Sequence, residues 1–197
     1  TEAYAFDLNE FFRVDRGKFV HDEAIDKWLD ALSRQPRYPF STPELRHELR
    51  HTFWLLNRVD AAKKLAEKLR DIQRHPEFAD FEIVVAAGDG KTDNDEVIED
   101  EGALRRVRKA IADHPQGTIT LSVGQLTTGV SVREWTGVLI LSNMKSPAQY
   151  MQAAFRAQNP YSWTEKGKHY RKERAYVFDF APERTLIIYD KFANEYR

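Results

Sequence analysis

An α/β fold, a mostly parallel sheet flanked by helices with a helical extension at its amino end, is what this 197-residue sequence predicts, on three observations. From residue 51 onward, short apolar runs alternate with stretches of helical period, the pattern of βα units laid into a parallel sheet. The first run, HTFWLLN at 51–57, is almost continuously apolar, which suits a strand buried on both faces. The first 50 residues lack that alternation and offer helical spacing and turn signals instead. With 42% hydrophobic and 12% aromatic residues, the chain can fill a proper core.

In order along the chain, Ile25, Trp28, Leu29 and Leu32 mark one amphipathic helix. RQPRYPFSTP then reads as a turn-rich connector, and Thr42-Pro43 opens a short helix. After the strand at 51–57, Asp60 is placed to cap a helix on which Ala62, Leu65, Ala66, Leu69 and Ile72 recur at helical spacing. FEIVVAA at 81–87 is a second strand, followed by Gly88-Asp89-Gly90 and an acidic loop to Glu101. Leu104, Val107 and Ile111 space a helix over 102–113, and TITLSV at 118–123 is the next strand. A polar hinge, GQLTTGVSVREW, leads to the strand GVLILS, then to a helix from Ser146 to Gln158 with Pro147 at its first position. YSWTEKGKHYRKER reads as a basic, aromatic loop before the strand AYVFDF at 175–180, and APERTLIIYDKFANEY reads as a closing helix. The expected division is a helical extension at 1–50 and an α/β domain at 51–197.

Thirty basic against 31 acidic residues leave the net charge near zero, so nucleic-acid binding has to come from a local patch. The absence of cysteine excludes disulfides and Cys-based zinc sites and suits a reducing compartment, so a cytoplasmic location is expected. Apolar runs such as TLIIY and GVLIL are far shorter than the roughly 20 residues of a membrane helix, so no membrane partner is expected.

Open parallel sheets bind ligands where strands end, which directs attention to two segments. SVGQLTTGVSV at 122–132 places hydroxyls and a glycine directly after a strand, where they can hold phosphate oxygens. QYMQAAFRAQNP at 149–160 sets Arg156 alone among small and neutral residues. By spacing alone, the first is an ordinary polar loop and the second a small-faced packing helix with Arg156 turned to solvent.

Taken together, the order strand, LTTGVSV, strand VLIL, then SPAQYMQAAFRAQNP resembles motifs V and VI of superfamily 2 helicases and translocases, closest to the motor subunits of type I and type III restriction enzymes. FWLLNRVDAAKKLAEKLR resembles motif IV, and the likeness covers roughly residues 51–180. It implies a second RecA-like domain: the carboxyl-terminal half of an ATP-driven DNA motor, whose first RecA-like domain is a partner that brings the phosphate-binding loop and the Mg²⁺-binding acid. By the same resemblance, Arg156 is the catalytic arginine, a permanently charged guanidinium that meets phosphate oxygens at two points. Gln152, Asn159, Gly129 and Ser131 join it in contacting ATP, which with Mg²⁺ is held mainly by the partner domain. Ser122, Thr127, Thr128, Asn57 and Arg58 contact the DNA backbone without reading bases.

Two residues depart from the family pattern. Asn159 stands where the last arginine of motif VI belongs, and Ser131 where motif V usually carries an aspartate. Either Arg156 alone acts as the finger, or Arg133 or Lys145 substitutes, or this half responds weakly to ATP. The basic stretch adds Lys166, Lys168, His169, Arg171 and Lys172 beside Tyr161, Trp163 and Tyr170, a mixture that suits nucleic acid as well as a solvated loop. Asp80 followed by Asp89-Gly90-Lys91 is tempting as a nuclease set, but the last two fall in a glycine-bounded loop where strand alternation does not aim them. His47 and His51 read as a surface pair rather than a metal site.

No G-x-x-x-x-G-K-[ST] stretch and no acidic box after a strand occur in the chain, so by itself it is not expected to hydrolyse ATP. Its start at Thr1 suggests a domain taken from a larger motor. The leading expectation is a motor half from a restriction-modification enzyme. The alternative is a non-catalytic RecA-like module that docks nucleic acid or protein.

Overall fold

Helix α1 (Leu8–Phe11) opens the computed structural model, which describes residues 7–86, 101–123, 132–143, 157, 159–172 and 175–180. Asp7 caps α1 by accepting the Glu10 N–H at 3.1 Å. A two-stranded hairpin follows, β1 (Val14–Asp15) with β2 (Lys18–Phe19), turning through Arg16 and Gly17, both at positive φ. The stretch before residue 51 is therefore not purely helical; Arg16-Gly17 supplies the left-handed backbone that a two-residue turn needs. Helix α2 (Asp22–Arg34) buries Ile25, Leu29 and Leu32, and α3 (Pro43–Glu48) starts at Thr42, whose hydroxyl accepts the Leu45 N–H at 3.1 Å.

The sheet begins with β3 (His51–Leu56), buried at every position, followed by α4 (Val59–Arg70), β4 (Glu82–Val85), α5 (Glu101–Asp113), β5 (Thr118–Val123) and β6 (Gly137–Ile140). A second hairpin, β7 (Ser162–Glu165) with β8 (Lys168–Arg171), precedes β9 (Tyr176–Asp179). Strand order is β4-β5-β3-β6-β9, with each neighbouring pair parallel. This α/β sheet flanked by helices is consistent with a RecA-like fold.

The chain steps from β3 outward to β4 and back inward to β5, reversing direction. Crossovers of one hand then put α4 and α5 on opposite faces. Side chains divide accordingly. Trp54, Leu56, Ile119, Leu121 and Leu139 pack with α4 and α2, whereas Phe53, Leu55, Val138 and Ile140 pack with Val107 and Ile111 of α5. Leu8, Phe12 and Phe19 belong to the first cluster, so residues before β3 share a core with the sheet.

Two local expectations need correcting. Arg58, not Asp60, is the N-cap of α4; Asp60 sits inside the first turn and accepts the Ala61 N–H at 2.7 Å. Ile72 lies beyond the end of α4 and is 52% exposed, because the helix stops at Arg70 and the chain turns away from the core. Of the helix expected from Ser146 to Gln158 only Ala157 is among the described residues, in a turn, and the closing helix expected over 181–196 lies outside them.

Candidate functional site

At the carboxyl edge of the sheet, β3, β5 and β6 end side by side, with Leu56 opposite Val123 and Leu55 opposite Ile140. Asn57 and Arg58 follow β3 there and are exposed, although Arg58 is engaged by Asp60, its Nε 3.3 Å from Oδ1. Ser122 is different. It is 1% exposed on the α5 face of β5, and its hydroxyl has no hydrogen-bond partner among the described residues, so it offers no surface contact to a sugar-phosphate chain. Thr127, Thr128, Gly129, Ser131, Gln152 and Arg156 lie outside the described residues, as do Asp89, Lys91 and Lys145.

Asn159 falls elsewhere, on the wall of a cavity of about 920 Å³ at the amino edge of the sheet. That cavity is bounded by the start of β3, the end of α5, residues 132–134 before β6, and the β7–β8 hairpin. A strand the length of β3 separates the two edges by roughly 16 Å, so Asn159 does not meet Asn57, Arg58 or Ser122.

The cavity takes its character from Arg50 and its neighbours. Arg50 has a side chain only 7% exposed, and its guanidinium lies 3.8 Å over the Trp163 ring, a cation–π contact. Nη1 donates to Glu165 at 3.3 Å, whereas Nη2 finds no partner among the described residues. Burial lowers the pKa of Arg50, with Glu165 pulling the other way. Next to it, burial and the Arg50 charge hold His51 down to about 3, so the ring is neutral and its Nδ1 pairs with the Thr118 hydroxyl at 2.9 Å. Arg108 and Arg133 stand at the rim, and Ile111, Val132 and Pro160 give the wall apolar surface.

The expected basic loop is an antiparallel hairpin turning at Lys166 and Gly167, both at positive φ. Tyr161, Trp163 and Tyr170 form a row of nearly parallel rings on one of its faces, with neighbouring centroids 5.5 Å apart. Lys172 points inward and donates to the carbonyls of Trp135 at 2.6 Å and Arg133 at 3.3 Å; burial holds its pKa down to about 8. Lys166, Lys168, His169 and Arg171 stay exposed. The signal for this hairpin was present in the sequence: SWTE and KHYR flank Lys-Gly, which suits a two-residue turn.

His47 and His51 are not a surface pair. His51 is buried in the sheet, and His47 meets Glu165 at 3.5 Å. Among the described residues no group of three or more His, Cys, Asp or Glu side chains could hold a metal ion, and Asp80 is exposed. Sequence reasoning missed Arg50 and Glu165. Nothing in their local pattern distinguishes them from solvated charges; only the fold of the hairpin back onto β3 brings them together.

No protein-family model matches the chain. It is 29% identical over 185 residues to a Mycoplasma pneumoniae (strain ATCC 29342 / M129 / Subtype 1) protein named "Putative type II restriction enzyme and methyltransferase RM.MpnORF110P C-terminus". The match takes in 90% of this chain and 24% of that protein, so the chain spans about a quarter of its relative. Among the described residues no helix is long and apolar enough to cross a membrane. The chain is thus an α/β domain similar to part of a restriction-modification protein.

Proposed function

We propose that the chain is the second RecA-like domain of an ATP-dependent DNA translocase within a restriction-modification enzyme. The observation that carries the reading is the shared, in-register ending of β3, β5 and β6 at one edge. The three motif-like segments of the sequence begin after these strands, so one edge can serve both nucleotide and DNA backbone, as a motor requires. The named relative supports the restriction-modification setting.

In this reading Asn57, Arg58, Thr127 and Thr128 hold the DNA backbone, and the partners are DNA and a first RecA-like domain. Bound ATP with Mg²⁺ supplies the phosphoryl group whose transfer drives movement. Toward it, Arg156 offsets charge on the phosphates, while Gln152, Gly129 and Ser131 orient the nucleotide. Asn159 lines the amino-edge cavity instead and takes no part in this contact.

The test is DNA-stimulated ATP hydrolysis by the polypeptide that joins this chain to a P-loop domain. Arg156→Ala is expected to lower turnover by a factor on the order of 10³. Unchanged turnover would overturn the assignment.

A further inference from the structure

We propose that the cavity between α5 and the β7–β8 hairpin is a nucleotide site, in which a phosphate displaces Glu165 from Arg50 between Arg108 and Arg133 while the base lies along Ile111 and Val132. The cavity shares none of its lining residues with the carboxyl edge.

Four features of the cavity support this site, and the first is an excess of donors. Arg50 Nη2 and Trp163 Nε1 are both buried and have no hydrogen-bond partner among the described residues, and the two groups are stacked on each other. Leaving such groups unpaired is costly, more so for a charged one, so the site is suited to a ligand rich in acceptors. The second is charge. Arg50, Arg108 and Arg133 line the cavity against Glu134 and Glu165, and the buried His51 adds none near neutrality.

The third is the exchange that admits the ligand. Glu165 is 43% exposed and holds Arg50 through a single contact at 3.3 Å. A phosphate presents oxygens that match a guanidinium at two points, so it can replace the carboxylate, which swings to solvent. The fourth is size. About 920 Å³ exceeds what a bare phosphate fills but falls in the range of roughly 300–1,000 Å³ typical of small-molecule sites. The apolar wall calls for a flat, weakly polar body attached to the anion, and a nucleotide has both parts. Two sources share that chemistry: a free mononucleotide and a nucleotide unit of a single strand.

The experiment is calorimetric titration of the 197-residue chain with adenosine, guanosine, cytidine and uridine monophosphates, with inorganic phosphate, with a short single-stranded oligonucleotide and with an acidic peptide. At least one mononucleotide or the oligonucleotide is expected to bind. Arg50→Lys should weaken that binding by about tenfold or more, since one charged, two-point contact is lost. Because Arg50 is buried and its substitution risks the fold, Glu165→Gln is the second variant; removing the competing carboxylate should tighten binding about twofold or more. Binding by the mononucleotide alone identifies the free form as the source, and binding by the oligonucleotide alone identifies the strand; both results support the site. Failure of all nucleotides to bind, binding indifferent to Glu165→Gln, or phosphate or acidic peptide binding as tightly as nucleotide would overturn it.

Discussion

Phe53 and Trp54 are neighbours on β3 and face opposite layers, and the two layers differ in kind. Trp54 sits among Trp28, Phe40 and Phe78, with ring centroids 6.0, 5.8 and 6.4 Å away. That face is sealed at its margin by contacts to α2: ion pairs from Lys68 to Asp22 and Asp26 and from Arg74 to Asp30, and a hydrogen bond between His75 and Asp26. Among the described residues Phe53 meets one ring, Trp135, at 4.8 Å, and shares its face with Thr118, Thr120, Ser122 and His51. Strand β5 shows the contrast within a few residues: Ile119 and Leu121 serve the first face, while hydroxyl side chains serve the second. A strand interior to a sheet gains most from apolar side chains on both sides. Hydroxyls and an imidazole on one of them weaken packing on the side where the amino-edge cavity opens, so dense packing and buried polarity are divided between the faces.

The largest expected effect breaks the comparison if it fails. Trp54→Ala should cost near the top of the roughly 3–5 kcal/mol that large-to-alanine core changes show, because its surroundings are rings that cannot close around the void. Phe53→Ala should fall near the bottom of that range, because its layer borders an existing cavity and relaxes more easily. Urea unfolding of the two variants measures the difference, and equal losses would mean the faces are equivalent.

A smaller effect should come from mild acid, through the second face. His51 stays neutral in the folded chain until about pH 3, whereas an ordinary histidine takes up its proton near 6.5. Between those values the unfolded state binds the extra proton, so stability falls as pH drops, by about 1.4 kcal/mol per unit at most. Urea unfolding between about pH 6.5 and 4.5 measures the slope, and comparison with His51→Gln separates this contribution from those of other titrating groups. His51→Gln should flatten the slope. An unchanged slope would mean that other groups carry it.

Much of this division could be read from residues. The almost continuous apolar run at 51–57 announced a strand covered on both sides, and the helical spacing of Leu65, Ala66 and Leu69 announced what covers one of them. What could not be read was pairing at a distance. Arg50 and Glu165 are 115 residues apart, and His75 and Asp26 are 49 apart, so their partnership exists only once the sheet order is set. The hairpin at 162–171 was legible in principle, from alternation around Lys-Gly, but its excess of charge argued for a loop. Of the candidate site, the exits after β3, β5 and β6 were legible because strand ends follow from strand positions, whereas the amino-edge cavity depends on a hairpin folding back.

The smallest effect concerns whether the margin or the core holds the first face. Arg74 grips Asp30 with two hydrogen bonds, 2.6 and 2.7 Å long, and this grip holds the Asp30 carboxyl below its ordinary value. The pair is partly exposed, 42% at Arg74 and 27% at Asp30, so water and salt screen it and Asp30→Asn should cost only about 0.5–1 kcal/mol. Because the folded carboxyl binds its proton less readily than the unfolded one, that contribution is complete above the unfolded value of 3.8 and disappears as pH falls through the lower folded value. Urea unfolding of Asp30→Asn at neutral pH and near pH 3 should therefore show a loss at the first and a smaller one at the second. A loss at neutral pH as large as that of Trp54→Ala would place the stability of this face in its ionic margin, and the contrast with the α5 face would then be one of charge rather than packing.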